Sequence, residues 1–152
     1  MDNVEFNCIF CTIVAKRAPA TIIYETDGAL AFLDIHPVTE GHTLVIPKKH
    51  CRNLFDLDDE SGKAVMHASR VVARALRVAF NADGLTVLQS NERAGGQDVF
   101  HYHAHLAPRF VGDGLMSRSE TERKMHWHSR GKPSSAELDA MAAKILAQIK
   151  DE

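Results

Sequence analysis

The segment HYHAHLAPRF, residues 101 to 110, sets three histidines at spacing two: His101, His103 and His105. In an extended strand alternate side chains share a face, so the three imidazoles line one surface while Tyr102, Ala104 and Leu106 turn to the other. Imidazole serves as nucleophile, proton carrier or metal ligand, and its ordinary pKa of about 6.5 makes a histidine row a poor choice for plain stability. A solvated strand face is the bland alternative. Three rings at this spacing, just after a glycine-rich loop, favour a functional site. In that loop Gly95 and Gly96 remove side chains where a backbone would approach a phosphate, and Asn91 and Gln97 add neutral donors. The GK[ST] ending of a Walker loop is missing, and two glycines before a strand also make an ordinary turn.

A second set of groups starts near the N-terminus. Cys8 and Cys11 form a C-x-x-C pair whose sulfurs can reach one tetrahedral zinc, with His50 and His101 as candidates for the other two ligands. On spacing alone the pair also reads as a redox dithiol or as two buried thiols. Cys51, beside His50, is read as structural, because an extended backbone would turn it to the opposite face.

These residues resemble the histidine triad (HIT) family, whose signature alternates histidine with hydrophobic residues and closes on two more hydrophobic residues, as His101 to Ala107 does. The segments AFLDIHPVTEGHTLVIPKKH (Ala31 to His50) and QSNERAGGQDVF (Gln89 to Phe100) extend the likeness over roughly residues 6 to 112. The resemblance implies a nucleotide hydrolase or transferase acting at an α-phosphate, with His103 as nucleophile and His105 and His42 set against the phosphate oxygens. It further assigns Asn91, Gln97 and the Asp98-Val99 backbone, beside Gly96, to a phosphate cradle and Asp34 to the ribose hydroxyls. Phe10, Ile13, Phe32 and Ile35 are assigned to the base pocket. It implies a structural zinc on Cys8, Cys11, His50 and His101, a homodimer, and no catalytic magnesium. Each assignment has a plain counterpart: Asp34 as a turn residue before Pro37, His42 as a strand-start histidine, and the four apolar residues as ordinary core. Asp98 departs from family members that carry a small hydroxyl residue there, and a carboxylate beside a polyphosphate would repel it; the side chain could also point away, cap a neighbouring N–H, or donate a proton if its pKa were raised. Met125-His126-Trp127-His128 resembles a segment with which a related branch reaches its partner subunit's active site, although here it lies farther along the chain.

The elements that must position these groups follow from pattern. Cys8 to Ala15 reads as a short helix halted before Pro19; Thr21 to Glu25, the Asp27-Gly28 turn and Ala29 to Leu33 read as a hairpin. His42 to Ile46 makes a third strand closed by Pro47. From Asp58 to Phe80, Val65, Ala68, Val72, Leu76 and Phe80 recur at helical spacing, with Lys63, His67, Arg70, Arg74 and Arg77 on the solvated side. Leu85 to Ser90 and Val99 to Ala107 are the last two strands. Ser134 and Glu137 form a capping-box pair ahead of Leu138, Met141, Ala142, Ile145 and Ile149. The expectation is an α+β, HIT-like fold: a five-stranded, mainly antiparallel sheet with two main helices. Residues 1–112 form the HIT domain, and residues 113–152 a C-terminal loop and amphipathic helix packed on it.

Composition bounds the function. The chain has 152 residues, 45% hydrophobic and 25% charged, enough for one buried core. With 18 basic and 20 acidic residues the net charge is −2, which argues against nucleic acid and anionic membranes as partners. No apolar run is long enough to span a bilayer, and the first residues lack a signal-peptide pattern, so the expected compartment is the cytoplasm. Three cysteines are too few to staple such a domain. The activity the resemblance implies is nucleotidyl transfer to histidine and then to water, on purine nucleoside phosphoramidates or dinucleoside polyphosphates. Two alternatives stand beside it: a non-catalytic AMP- or GMP-binding regulatory module, and a metal-dependent hydrolase using the triad histidines as ligands.

Overall fold

The computed structural model describes residues 7–115 and 126–151. Among the described residues eight α-helices and strands follow one another: α1 (Ile9–Val14), β1 (Ile22–Glu25), β2 (Ala29–Leu33), β3 (Thr43–Pro47), α2 (Asp59–Ala79), β4 (Gly84–Leu88), β5 (Ala104–Arg109) and α3 (Ser135–Leu146), with a 3-10 turn at Arg93–Gly95 between β4 and β5. The strands form one sheet in the order β1-β2-β3-β5-β4, and every neighbouring pair is antiparallel. The fold is therefore α+β, as the strand and helix patterns predict. Among the described residues no helix is long and apolar enough to cross a membrane.

The two faces of the sheet are covered by different helices, and this explains why β2 and β3 are continuously apolar rather than alternating. Ala29, Ala31, Leu33, Val45 and Leu106 face α2 and α3, meeting Val65, Ala68, Val72 and Leu76 of the first and Leu138, Ala142 and Ile145 of the second. Leu30, Phe32, Leu44 and Ile46 point the other way, into a smaller cluster with Phe10, Cys11 and Ile13 of α1. Each fully buried Leu, Ile or Val contributes roughly 1.5–3 kcal/mol by leaving water. α3 packs on the same core as the sheet, and its capping box is formed as the Ser134/Glu137 spacing predicts. Gly41 holds φ +84°, and a Cβ there would overlap the Phe80 ring at the end of α2, so only glycine fits the turn that delivers His42.

The last strand differs from expectation. The sequence predicts a strand from Val99 to Ala107, yet β5 begins at Ala104 and runs to Arg109. The reason lies in the hydrogen bonds of residues 101–103: the Tyr102 N–H donates to the Cys51 carbonyl at 2.7 Å, drawing this stretch toward the loop after β3. His101 and His103 thus precede the ladder, whereas His105 lies within it opposite Leu44 and Leu88. Similarly, β4 stops at Leu88, where Gln89 turns its side chain to the Ser90 carbonyl and Asn91.

Candidate active site and metal-ligand cluster

Backbone groups, which donate or accept in only one sense, fix how each histidine ring is protonated. The Nε2 of His101 lies 2.8 Å from the Pro47 carbonyl, so it carries the hydrogen and donates it, leaving Nδ1 with a lone pair. That nitrogen faces Cys8 Sγ at 3.4 Å, Cys11 Sγ at 3.5 Å and His50 Nδ1 at 3.2 Å. Cys11 Sγ lies 3.3 Å from His50 Nδ1. The four ligand atoms all fall within 4.8 Å of one another. A tetrahedral zinc with Zn–S about 2.3 Å and Zn–N about 2.0–2.1 Å places S···N pairs about 3.6 Å apart and N···N pairs about 3.3 Å apart. The donor set and spacing fit such an ion, and the Pro47 carbonyl supplies the outer contact that orients a ligating imidazole. Cys51 is buried but outside this group, and burial pushes its thiol pKa up.

His103 has the opposite tautomer. Its Nδ1 donates to the His101 carbonyl at 2.8 Å, so Nε2 holds the lone pair. The ring borders a cavity of about 370 Å³ lined by Phe10, Ile13, Phe32, Ile35, His105 and Asp98 among others. Phe10, from α1, packs edge-on to His103 with ring centroids 5.2 Å apart. The α1 cysteines and the α1 pocket wall are therefore set by one short helix, which Cys8 caps by accepting from the Cys11 N–H.

His42 and His105 form a second ordered pair. Val38 N–H donates to His42 Nδ1 at 3.1 Å, so the hydrogen of the neutral ring sits on Nε2 and is directed to His105 Nδ1 at 2.9 Å. His105 then presents Nε2–H. Burial pushes the His42 pKa down, opposed by the Asp34 carboxylate, whose Oδ2 lies 3.5 Å from His42 Nε2. Burial, helped by His103 and His42, brings His105 to about 4. Asp34, His42 and His105 are close enough to attract an ion. Because His42 Nε2 is the protonated nitrogen, it offers no lone pair there, which argues against an ion held by Asp34, His42 and His105 together.

The remaining predicted residues divide. Asp34 is a turn residue, its Oδ1 accepting from the His36 N–H at 2.8 Å, while its Oδ2 faces the histidine pair. Phe10, Ile13 and Phe32 are buried walls, and Ile35 stands half exposed at the mouth. Val99 and Asp98 border the cavity. Asn91 and Gln97 do not. Gln97 accepts from Asn53 Nδ2 and the Glu92 N–H and donates to the Arg52 and Val99 carbonyls. Asn91 accepts from the Leu54 N–H and pairs with Gln89. These side chains shape the loop from within, and Gly96, at φ +89°, makes its final turn. Sequence reasoning missed Asn53, Glu92 and Arg52, which lock this loop to the one after β3 through a bidentate Arg52–Glu92 pair at 2.8 and 2.9 Å. Nothing in their local pattern marks them. Trp127 packs edge-on to His42 and His105 of its own chain, with centroids 5.3 and 5.7 Å away. Met125 lies outside the described residues.

An α+β sheet carrying a histidine-lined cleft on one side and a two-cysteine, two-histidine cluster beside it defines a narrow class of protein. The HIT domain model matches residues 15–112, and this chain belongs to the HIT family. It is 50% identical over 110 residues to "Protein hit" of Bacillus subtilis, covering 72% of this chain and 76% of that protein. A hypothetical histidine triad nucleotide-binding protein from Sulfolobus tokodaii superposes with a TM-score of 0.79 at 29% identity, covering 93% of this chain and 91% of that one. A zinc-bound histidine triad family protein from Mycobacterium smegmatis superposes with a TM-score of 0.73 at 36% identity, covering 93% and 94%.

Proposed function

We propose that this protein is a nucleotide hydrolase acting at the α-phosphate of purine nucleoside phosphoramidates or dinucleoside polyphosphates. The observation that carries this reading is the tautomer of His103: Nδ1–H held by the His101 carbonyl, lone-pair Nε2 facing the cavity. In the first step Nε2 bonds to phosphorus, the bond to the leaving nitrogen or oxygen breaks, and the leaving group departs with that electron pair. An amine also takes a proton from solvent. In the second step a water oxygen bonds to phosphorus, the P–Nε2 bond returns its pair to His103, and the water gives up a proton. One hard displacement becomes two easier ones. The His101 carbonyl stabilises the positive ring of the intermediate through Nδ1–H. His105 Nε2–H, held by the His42 relay, donates to a phosphoryl oxygen as charge builds. The ribose lies against Asp34 and the base against Phe10, Ile13 and Phe32.

Cys8, Cys11, His50 and His101 would hold a structural zinc, tying α1 to the histidine segment; a relative of similar fold is zinc-bound. Its chemistry there is cross-linking, with both sulfurs as thiolates, which suits a reducing cytoplasm. The unpaired edge of β4, with Val87 61% exposed, and the exposed Leu54 and Phe55 support a homodimer across this edge. The test is AMP release from adenosine phosphoramidate and from diadenosine tetraphosphate by the protein and its His103→Ala variant. AMP from the parent protein alone supports the reading. AMP binding with no turnover of either compound replaces it with the regulatory binding module.

A further inference from the structure

The nucleophilic nitrogen has an unusual neighbour. Asp98 Oδ1 lies 3.5 Å from His103 Nε2, and the same oxygen accepts the Val99 N–H at 2.8 Å, which holds the carboxylate toward the cleft. Nε2 carries a lone pair, so the contact is not a hydrogen bond; it sets a negative charge at the edge of the space an incoming phosphorus must occupy. The Asp98 side chain is 83% exposed, whereas Phe10, Ile13 and Phe32, which line the same cavity, are buried. A base seated against those buried walls leaves the exposed side of the cavity, where Asp98 stands, to the leaving group. Among the described residues, no lysine or arginine lines this cavity, and its second carboxylate is Asp34. Extra negative charge on a leaving group therefore meets repulsion from Asp98, with no lysine or arginine among the described lining residues to offset it.

We propose that Asp98 selects the leaving group by charge, admitting nucleoside phosphoramidates whose departing amine carries a cationic group and rejecting polyphosphates. The proposal rests on the hydrolase reading above and narrows its two substrate classes to one. Unit charges about 5 Å apart at a solvent-exposed site change a rate by roughly tenfold. A cationic and an anionic leaving group differ by two such charges, so the parent protein should separate them by about a hundredfold in kcat/KM.

The test uses the adenosine 5′-phosphoramidates of ethylenediamine and of β-alanine, with diadenosine tetraphosphate as a third substrate, on the full chain and its Asp98→Asn and Asp98→Ser variants. The expected result is a preference for the ethylenediamine compound that falls to about tenfold or less in both variants, through slower turnover of that compound together with faster turnover of the two anionic ones. In 0.5 M salt the parent protein's preference should also shrink, as screening of an exposed charge requires. A preference unchanged within about twofold in Asp98→Asn overturns the proposal while leaving the hydrolase reading intact. Failure of the hydrolase reading looks different: no AMP from any compound. In that case equilibrium binding of AMP and ADP decides. A gain in ADP affinity over AMP of about fivefold in Asp98→Asn supports the charge filter, and equal changes for both overturn it.

Discussion

Replacing His105 by Asn tests the environment of the cleft most directly. Asn can still accept from His42 Nε2–H, so the relay geometry survives while one buried titrating ring is lost. In the folded protein burial and its neighbours hold His105 at about 4, against about 6.5 in an unfolded chain. A depressed histidine pKa means that the unfolded state binds the proton first, so stability is complete above about pH 6.5 and is lost as pH falls toward 4. At pH 5 an unfolded histidine gains RT ln(1 + 10^1.5), about 2 kcal/mol, while the folded one gains under about 0.1 kcal/mol. The parent protein should therefore lose about 2 kcal/mol more than His105→Asn between pH 7.5 and pH 5. Urea unfolding at both pH values for both proteins measures this difference, and contributions from the cysteine–histidine cluster cancel in the subtraction. A difference below about 0.5 kcal/mol would refute the claim that burial keeps this ring neutral.

His103→Ala should lower AMP release by at least about a thousandfold while AMP affinity by calorimetry changes only a few-fold; substantial turnover in the variant would remove His103 from the nucleophile's role. Metal analysis should find one zinc per chain, and Cys11→Ser should lower both metal content and Tm. Abrupt loss of turnover on chelation, with the melting curve unchanged, would instead point to a catalytic ion. Trp127→Ala should open the His42–His105 pair to water and raise the His105 pKa from about 4 toward its ordinary value, read by NMR titration of the ring protons. An unmoved titration would show that other walls keep the pair dry.

Much of the cleft was legible because its signals are local. A spacing of two places His103 and His105 near one another whichever residue begins the ladder, so the late start of β5 leaves the reading of the triad unaffected. The capping box of α3 and the helical period of α2 are likewise short-range patterns that survive in the fold. Asn91 and Gln97 show where locality fails. Both carry donors suited to a phosphate cradle, but Gln97 directs its Nε2 to the Arg52 and Val99 carbonyls and Asn91 its Nδ2 to Gln89, while Asn53 and the Leu54 N–H from a distant loop hold their oxygens.

Residue type and spacing by themselves determined that one short segment would carry several imidazoles, that Cys8 and Cys11 would lie on one turn of helix, and that the chain would build an α+β domain around a mainly antiparallel sheet. These follow from strand and helix periods, which depend on the chain's own geometry. Tertiary structure alone decided what each ring does, because the deciding partners are backbone groups from other segments. The Pro47 carbonyl turns the His101 lone pair toward the cysteines, the His101 carbonyl turns that of His103 toward the cleft, and the Val38 N–H aims His42 at His105. Every residue offers the same carbonyl and nearly every one the same N–H, so no side-chain pattern announces which of them will meet an imidazole. Only the packed chain brings them within reach.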